Sequence, residues 1–186
     1  VRDGEIMFGL NMVVHKGKTI FVGDTSVHEY PTSEQMAEIA ISTARVVRLF
    51  GFEPKVAFVS HSTFGQPLTS RTKHIRKAVD ILKEQKVDFE FDGDMQPDVA
   101  LDSEYKELYP FSNIVGKANI LIMPGQHSAA ISYKMMKTLG DTKVIGPLLI
   151  GLGLPIEIAP LRSSTSELIN LASVAAYSAD IIDYKK

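Results

Sequence analysis

The sequence contains no cysteine, which excludes a disulfide, a thiolate nucleophile and a zinc site built from cysteine ligands. It also lacks any apolar run that approaches the roughly 20 residues needed to cross a membrane. Its net charge of −2 provides no basic field for nucleic acid. From these absences we expect a cytoplasmic chain with no nucleic-acid or membrane partner and with a soluble small molecule as its ligand.

What the sequence does contain is typical of one globular domain. Its 186 residues are 45% hydrophobic and 23% charged, a length and composition that allow one well-buried core. The chain starts at Val1, shortly before an apolar strand pattern and without a signal peptide. We interpret this start as that of a piece of a longer protein.

Strand and helix patterns alternate along the chain, which predicts a three-layer α/β/α fold with a mainly parallel sheet. The predicted strands are residues 6–14, 19–22, 56–60, 89–92, 118–123, 144–150 and 155–158. The predicted helices are residues 32–50, 71–82, 97–109, 127–139 and 164–179.

The two ends of the chain are unusually apolar. The first two strands form a predicted hairpin that is apolar on both faces, so we expect another part of the molecule or a second subunit to cover it. The last helix begins with a capping box from Ser164 to Glu167 and is apolar nearly all round over residues 168–179. Such a helix needs neighbours on more than one side.

An acidic segment follows the fourth predicted strand and contains Asp92, Asp94 and Asp98. Gly93 permits a sharp turn there, and Pro97 suits the first position of a new helix. A turn at the carboxyl end of a sheet strand either lines a ligand pocket or is simply capped and solvated by its aspartates. A Mg²⁺ site is a weaker alternative, because the distant glutamate of an EF-hand is absent.

A polar loop at residues 60–67 precedes a helix whose first turns carry five basic side chains. Cations are disfavoured near a helix amino terminus, so the cluster makes sense if an anion such as a phosphate binds there. The alternative is a solvated basic face. The loop matches neither a P-loop nor a GxSxG elbow. The basic side chains are those of Arg71, Lys73, His74, Arg76 and Lys77.

Several segments together resemble the phosphotransacetylase family. They are TSEQ at residues 32–35, DGDMQ at 92–96, GKANILIMP at 116–124, SAAISYK at 128–134 and IGPLLIGL at 145–152. The resemblance is closest to the phosphotransacetylase-like region fused to bacterial NADP-dependent malic enzymes. It implies an isocitrate/isopropylmalate dehydrogenase-like fold, with residues 1–160 as the second lobe of a two-lobed module. Residues 161–186 would then form a C-terminal helix that packs on a first lobe missing from this chain.

The resemblance also implies where catalysis would be lost. Active phosphotransacetylases carry a Ser-Arg-Gly-Cys-Ser segment before the final helix, and their serine and arginine fall here on Pro160 and Leu161. The family aspartate falls on Glu167, which is the remaining catalytic candidate. Losing the cation removes an electrostatic contribution to the transition state. Arg162 lies one residue away and is the candidate to compensate.

These features leave two main hypotheses about function. In the first, the domain binds acetyl-CoA or CoA and acts as a regulatory, oligomer-forming module, at least a dimer, for a malic enzyme domain in the same chain. NADP and a divalent metal would belong to that upstream domain, with no cofactor or metal in this one. In the second, the domain is an active phosphate acetyltransferase. A third possibility is a purely structural role in subunit assembly. The candidate ligand-binding residues are Ser60, Ser62, Thr63, Gly65, Arg71, Asp94, His127, Ser128 and Arg162.

The ligand-binding candidates lie on three segments that follow different strands. We expect the loop at 60–65, the segment around Asp94 and the helix start at His127 and Ser128 to meet at the carboxyl ends of the strands. The alternative is that the hydroxyls and His127 only cap local backbone.

Overall fold

The computed structural model describes residues 5–183, apart from the side chains of residues 106 and 180–183, and its centre is a seven-stranded sheet. The strands are β1 Phe8–His15, β2 Lys18–Gly23, β3 Lys55–Val59, β4 Glu90–Met95, β5 Ile120–Ile122, β6 Thr142–Ile150 and β7 Ile156–Glu157. Their order across the sheet is β4-β3-β5-β2-β1-β6-β7.

The sheet is mixed, so the prediction of a mainly parallel sheet is only half right. The β4-β3-β5-β2 half is parallel. β1 runs antiparallel to both of its neighbours, β2 and β6, and β7 runs antiparallel to β6. The reversal follows from the turn at Lys16 and Gly17, because a connection this short joins only antiparallel strands.

Five α-helices and one 3₁₀ helix complete the described part of the chain. They are α1 Ser33–Leu49, α2 Ser70–Glu84, α3 Pro97–Leu101, a 3₁₀ helix at Glu104–Glu107, α4 Gln126–Leu139 and α5 Thr165–Asp183. The helix predicted at 97–109 is therefore too long. It ends early because Asp102 Oδ1 accepts a hydrogen bond from the Glu104 N–H at 3.2 Å, a local turn that competes with helix. Across residues 5–183, every helix falls short of the length and apolar character of a membrane span.

Helices cover both faces of the sheet, as the predicted three layers require. On one face, α1 and α2 pack against the sheet through a core that includes Met36, Ile75 and Phe58. On the other face, α3 and α4 contribute Ala100 and Ala129 to a second core. Both cores belong to the same sheet, which gives the described residues one continuous α/β/α architecture.

The apolar hairpin lies in the middle of the sheet. Phe8, Leu10 and Phe21 are fully buried in it, because β6 pairs with the outer edge of β1 and β5 pairs with β2. Another part of the same chain therefore covers the hairpin, which was one of the two alternatives. Cover by a second subunit, the other alternative, is not needed to bury these three side chains.

Only one side of α5 packs against the rest of the described residues. Leu171 is buried, and the Tyr177 hydroxyl donates a hydrogen bond to the Leu49 carbonyl at 2.8 Å. Leu168 and Ile169 remain 47% and 59% exposed. The exposed apolar side agrees with the expectation of a further neighbour for this helix, and that neighbour's identity as a first lobe stays a prediction.

A groove of about 580 Å³ separates α5 from α1 and from the segment that follows β6. Glu157 contributes to its wall, and the Oε2 atom of this carboxyl is buried without a hydrogen-bond partner among the described residues. Burial raises the pKa of Glu157 from 4.5 to about 7. A carboxyl group in this position keeps its proton at mildly acidic pH.

Two leucines test the assignment of the core. Leu10→Ala removes a fully buried side chain and should lower the free energy of unfolding by about 2–5 kcal/mol, since it leaves a cavity. Leu161→Ala is the matched control, because Leu161 is fully exposed, and it should change stability by no more than about 0.5 kcal/mol. Urea unfolding monitored by circular dichroism measures both. Equal effects of the two substitutions would contradict the position of the hairpin.

Glu157 should make stability fall as pH rises. Between the unfolded pKa of 4.5 and the folded pKa of about 7, the folded protein holds a proton that the unfolded chain has released. Glu157→Gln stays neutral, so it should match the unchanged protein in melting temperature at pH 4, below both pKa values, and exceed it at pH 8. The exposed Glu84→Gln is the control and should leave the pH profile unchanged. An identical profile for Glu157→Gln would show that this carboxyl does not retain its proton.

Candidate functional site

The carboxyl ends of β2, β3, β4 and β5 lie along one edge of the sheet, since these four strands are parallel neighbours. The segments that leave this edge include all the predicted ligand-binding residues except Arg71 and Arg162. Ligands of open α/β sheets bind at such an edge. The edge is therefore the candidate functional site.

A buried contact joins the loop after β3 to the end of β4. The Ser62 hydroxyl donates a hydrogen bond to Asp94 Oδ2, and the Gly65 N–H donates to the same oxygen at 3.3 Å. The backbone of Phe64 donates to the Asp94 carbonyl at 2.7 Å. Asp94 is fully buried, and its Oδ1 atom has no partner among the described residues. The structure thus brings together two of the three predicted segments.

The hydroxyls of this loop mainly satisfy nearby backbone. Ser60 Oγ accepts a hydrogen bond from the Ser62 N–H at 3.3 Å, and Thr63 Oγ1 accepts one from the Gln96 N–H at 3.3 Å. Both side chains are buried. This geometry agrees with the alternative that Ser60 and Thr63 cap local backbone, and it leaves their role in ligand binding as a prediction.

The acidic segment differs from its prediction, because β4 continues through Gly93 to Met95. Gly93 has φ +150, and a Cβ atom there would lie 2.7 Å from the Phe58 carbonyl oxygen, so glycine allows the two strands to approach. The register between β3 and β4 shifts next to this point. Gly93 is therefore part of an irregular strand rather than of a turn.

The carboxylates of this segment have separate partners. Asp92 accepts from the backbone of Gly93 at 2.9 Å and of Asn113 at 2.7 Å, and Asp98 accepts from the Val99 N–H at 3.0 Å. Among the described residues, no group of three His, Asp or Glu side chains is arranged to hold a metal ion. The arrangement gives no support to the Mg²⁺ alternative.

The basic start of α2 is explained largely by its neighbour α1. His74 Nε2 lies 2.9 Å from the Pro31 carbonyl oxygen, and Lys77 forms an ion pair with Glu34 at 2.6 Å. Arg71 stacks on the Tyr30 ring with its guanidinium carbon 4.7 Å from the ring centroid. The two helices begin side by side, so the acidic first turn of α1 neutralises the charge of Lys77 on α2. Three of the five basic side chains thus have structural partners.

The amino terminus of α2 also has a capping box that the sequence analysis missed. Thr69 Oγ1 accepts from the Thr72 N–H at 3.2 Å, and Thr72 Oγ1 accepts from the Thr69 N–H at 2.8 Å. The usual signal has Glu or Gln at the second position. Threonine takes that place here, so the usual capping-box pattern is absent from the sequence of this segment.

The start of α4 lies at the same edge, next to the connection between β2 and α1. His127 Nε2 is 3.4 Å from a Glu29 carboxylate oxygen, and the Gln126 N–H donates to the His28 carbonyl at 3.1 Å. Ser128 follows within the first turn. These contacts connect His127 to the β2 side of the edge and not to the loop at 60–65, so the predicted meeting of all three segments is only partial.

An aspartate–histidine pair after β2 was not predicted. Buried Asp24 accepts hydrogen bonds from four backbone N–H groups. Its Oδ2 also lies 2.6 Å from His28 Nδ1. The signal in the sequence is an Asp directly after a strand and before Thr and Ser, which favours a turn closed by the carboxylate. This pair shapes the β2 side of the site.

Glu167 lies apart from the loop at 60–65. It closes the predicted capping box, with the Ser164 N–H donating to its carboxylate at 2.7 Å and its own N–H donating to Ser164 Oγ at 3.2 Å. Its carboxylate also pairs with Lys137 at 2.6 Å. The hydrogen bond from Lys137 and those from Ser164 lower the pKa of Glu167 to about 2. Lys137 is in the last turn of α4, about 16 Å along the helix from the turn at the sheet edge.

The segment before α5 is exposed. Pro160, Leu161 and Arg162 all lie at the surface, between β7 and the capping box of α5. Neither proline nor leucine offers a side-chain donor. The structure thus brings neither Glu167 nor Arg162 to the cluster of Ser62 and Asp94.

Comparisons with known proteins agree with this architecture. The family model described as phosphate acetyl/butaryl transferase matches residues 2–176. The NADP-dependent malic enzyme of Rhizobium meliloti (strain 1021) is 46% identical over 96% of this chain, which spans 23% of that protein. The phosphate acetyltransferase of Clostridium acetobutylicum is 35% identical over 86% of the chain and 49% of its own length.

A solved structure gives the same result. The phosphotransacetylase of Streptococcus pyogenes superposes with a TM-score of 0.87 and 30% identity, over 94% of this chain and 54% of that one. The chain thus spans about a quarter of the malic enzymes and about half of the phosphotransacetylases that it matches. Since the family model covers nearly all of its residues and the fold agrees, the chain belongs to the phosphate acetyl/butaryl transferase family.

Proposed function

We propose that this chain is the phosphotransacetylase-like module of an NADP-dependent malic enzyme, in which it binds acetyl-CoA or a related acyl-CoA and regulates the enzyme. Similarity to the malic enzyme of Rhizobium meliloti, at 46% identity, supports the assignment to this branch. NADP and a divalent metal would be held by the malic enzyme portion of the parent protein. This assignment makes the malic enzyme domain the partner of the module.

The observation that carries the proposal is the separation of two sets of residues. The loop at 60–65 and Asp94 form a buried, hydrogen-bonded cluster at the sheet edge, where the carboxyl ends of the strands favour ligand binding. Glu167 and the segment at 160–162, which correspond to the catalytic positions of the family, lie elsewhere on the chain. Binding and turnover draw on different groups, so one can persist without the other.

The lack of a cation at the catalytic positions argues against efficient acetyl transfer. Acetyl transfer from acetyl phosphate requires the CoA thiolate to attack the acetyl carbonyl, break the bond to phosphate oxygen and release inorganic phosphate. A cation normally stabilises the charge on the departing phosphate, and Pro160 and Leu161 supply none. A carboxylate with a pKa of about 2 is also a weak base for the thiol proton.

An active phosphate acetyltransferase is the second candidate. Similarity to the enzyme of Clostridium acetobutylicum, at 35% identity, favours it, as does the presence of Arg162 next to the altered positions. This alternative requires Arg162 to take over the role of the missing cation.

An oligomeric parent protein would connect ligand binding to regulation, because a ligand changes activity only if it favours one arrangement over another. The surface that supports self-association is a stripe on α4, not the hairpin. Ile131, Met135 and Leu139 are spaced four residues apart and are 57%, 54% and 80% exposed. An apolar stripe of this kind is typical of a helix that packs on a partner.

Assays of the full parent protein test both candidates. We expect saturating acetyl-CoA to change the rate of malate oxidation, while acetyl transfer to phosphate stays at or near background. Arg71→Gln should weaken the acetyl-CoA effect by about three- to tenfold in concentration, as for the loss of one partly screened charge-assisted hydrogen bond. Arg45→Gln, which replaces an arginine that is 59% exposed on α1, is the control.

The outcomes separate the candidates. Robust acetyl transfer would establish the active transferase. Malate oxidation that is indifferent to saturating acetyl-CoA would rule out the regulatory role. A wild-type response in Arg71→Gln would remove this arginine from the binding site.

Glu167 provides a test of the catalytic assignment by titration. We expect its side-chain carboxyl to titrate near pH 2 in NMR spectra, and Lys137→Ala to move the midpoint upward, because the largest cause of the low pKa is the hydrogen bond from Lys137. The interaction is present above the unfolded pKa of 4.5 and is lost as pH falls toward 2. Lys134→Ala on the same helix is the control. A midpoint near 4.5 in the unchanged protein would show that the hydrogen bonds from Lys137 and Ser164 do not lower the pKa of this carboxyl.

A further inference from the structure

A cavity of about 340 Å³ lies between α2, the edge strand β4 and the connection around residue 111. Phe64 and Phe111 form one wall, with their ring centroids 4.8 Å apart and the rings nearly edge to face. Phe111 is 63% exposed, which leaves its ring accessible to a ligand. The volume is at the lower end of the range for small-molecule sites, about 300–1,000 Å³.

Arg76 lines this cavity and is a cation without an ion pair among the described residues. Its guanidinium lies over Gly65, where a Cβ atom would be 2.7 Å from Nη1. Among the side chains that the structure describes, no carboxylate forms an ion pair with it. This arginine can therefore offer its planar set of donors to an anion.

The two carboxylates that line the same cavity already have partners. Asp92 accepts from the backbone of Gly93 and Asn113, and Asp80 lies 3.5 Å from the Lys83 ammonium. Lys83 therefore balances Asp80, and Arg76 is the lining cation that has no ion pair among the described side chains. The combination of a cation and an accessible aromatic face suits a ligand that has both an anionic group and a planar ring.

We propose that this cavity binds a nucleoside phosphate, with the base against Phe64 and Phe111 and a phosphate on Arg76. Bases stack on aromatic side chains in other proteins, and arginine binds phosphate oxygens through paired N–H groups. The ligand is either a free nucleotide or the nucleotide end of a larger molecule such as CoA. This assignment does not depend on acyl transfer or on regulation of malate oxidation.

The cavity is connected to the sheet-edge cluster through Phe64. Its ring lines the cavity, and its backbone N–H donates to the Asp94 carbonyl at 2.7 Å. Phe64 also has φ +49, a conformation that is uncommon for residues other than glycine. A base stacked on the ring would hold this residue, and with it the loop at 60–65, in the observed position.

Calorimetric titration of the purified parent protein with ADP tests the proposal, with NADP present at saturation so that ADP cannot occupy the NADP site of the malic enzyme portion. We expect saturable binding, and we expect Arg76→Gln to weaken it at least about tenfold through loss of charge-assisted hydrogen bonds. Phe111→Ala should weaken it about fivefold or more through loss of stacking, and its exposed position makes unfolding a minor concern. Arg45→Gln is the matched control and should leave ADP binding unchanged. Adenosine, which has the base but no anionic group, and inorganic phosphate, which has no base, should each bind more weakly than ADP.

Titration with CoA distinguishes the two sources of the nucleotide. If Arg76→Gln weakens CoA and ADP alike and the two compete, the cavity holds the nucleotide end of CoA. If the substitution weakens only ADP, the cavity is a site for free nucleotides. Absence of saturable ADP binding, ADP binding that neither substitution changes, or phosphate binding as tight as that of ADP would overturn the proposal. None of these results depends on the acetyl-CoA assays, so the two proposals can fail separately.

Discussion

The pairing of β1 with both β2 and β6 is the constraint on which the rest of the structure depends. This hairpin strand joins the parallel half of the sheet to the antiparallel half, and it places Phe8 and Leu10 at the centre of one core. The four parallel strands can then present their carboxyl ends along one edge. Loss of this pairing would separate the parallel strands β2 to β5, whose carboxyl ends form the candidate site, from β6, which lines the groove beside α5.

The elements were predictable from local patterns, and their arrangement was predictable only in part. The capping box at Ser164 marked the true start of α5, because such a cap depends on residues only three positions apart. The mixed sheet was not foreseen, since the pairing of β1 with β6 joins segments far apart in sequence. Periodicity reports which faces are apolar and does not report which strand will cover them.

The candidate site was likewise predictable only in part. The sequence placed Ser62 and Asp94 at strand ends, and their contact follows from the parallel pairing of β3 and β4. The basic start of α2 suggested an anion site. In the structure, however, His74 contacts the Pro31 carbonyl just before α1, and Lys77 forms an ion pair with Glu34 of α1. Which charges are neutralised by a neighbouring helix can be read only from the structure. The Asp24–His28 pair and the Arg76 cavity were missed because each combines a local motif with distant backbone.

The register between β1 and β6 has a consequence for how the chain folds. Phe8 pairs with Ile150 and His15 pairs with Thr142, so the central strand acquires its second neighbour only after most of the chain has been synthesised. Contacts between such distant segments slow folding, because a long loop must close before they form. Until then, the outer edge of β1 is an unpaired apolar strand, and such edges promote aggregation. During biosynthesis, this apolar edge therefore stays open until the segment at residues 142–150 has been made.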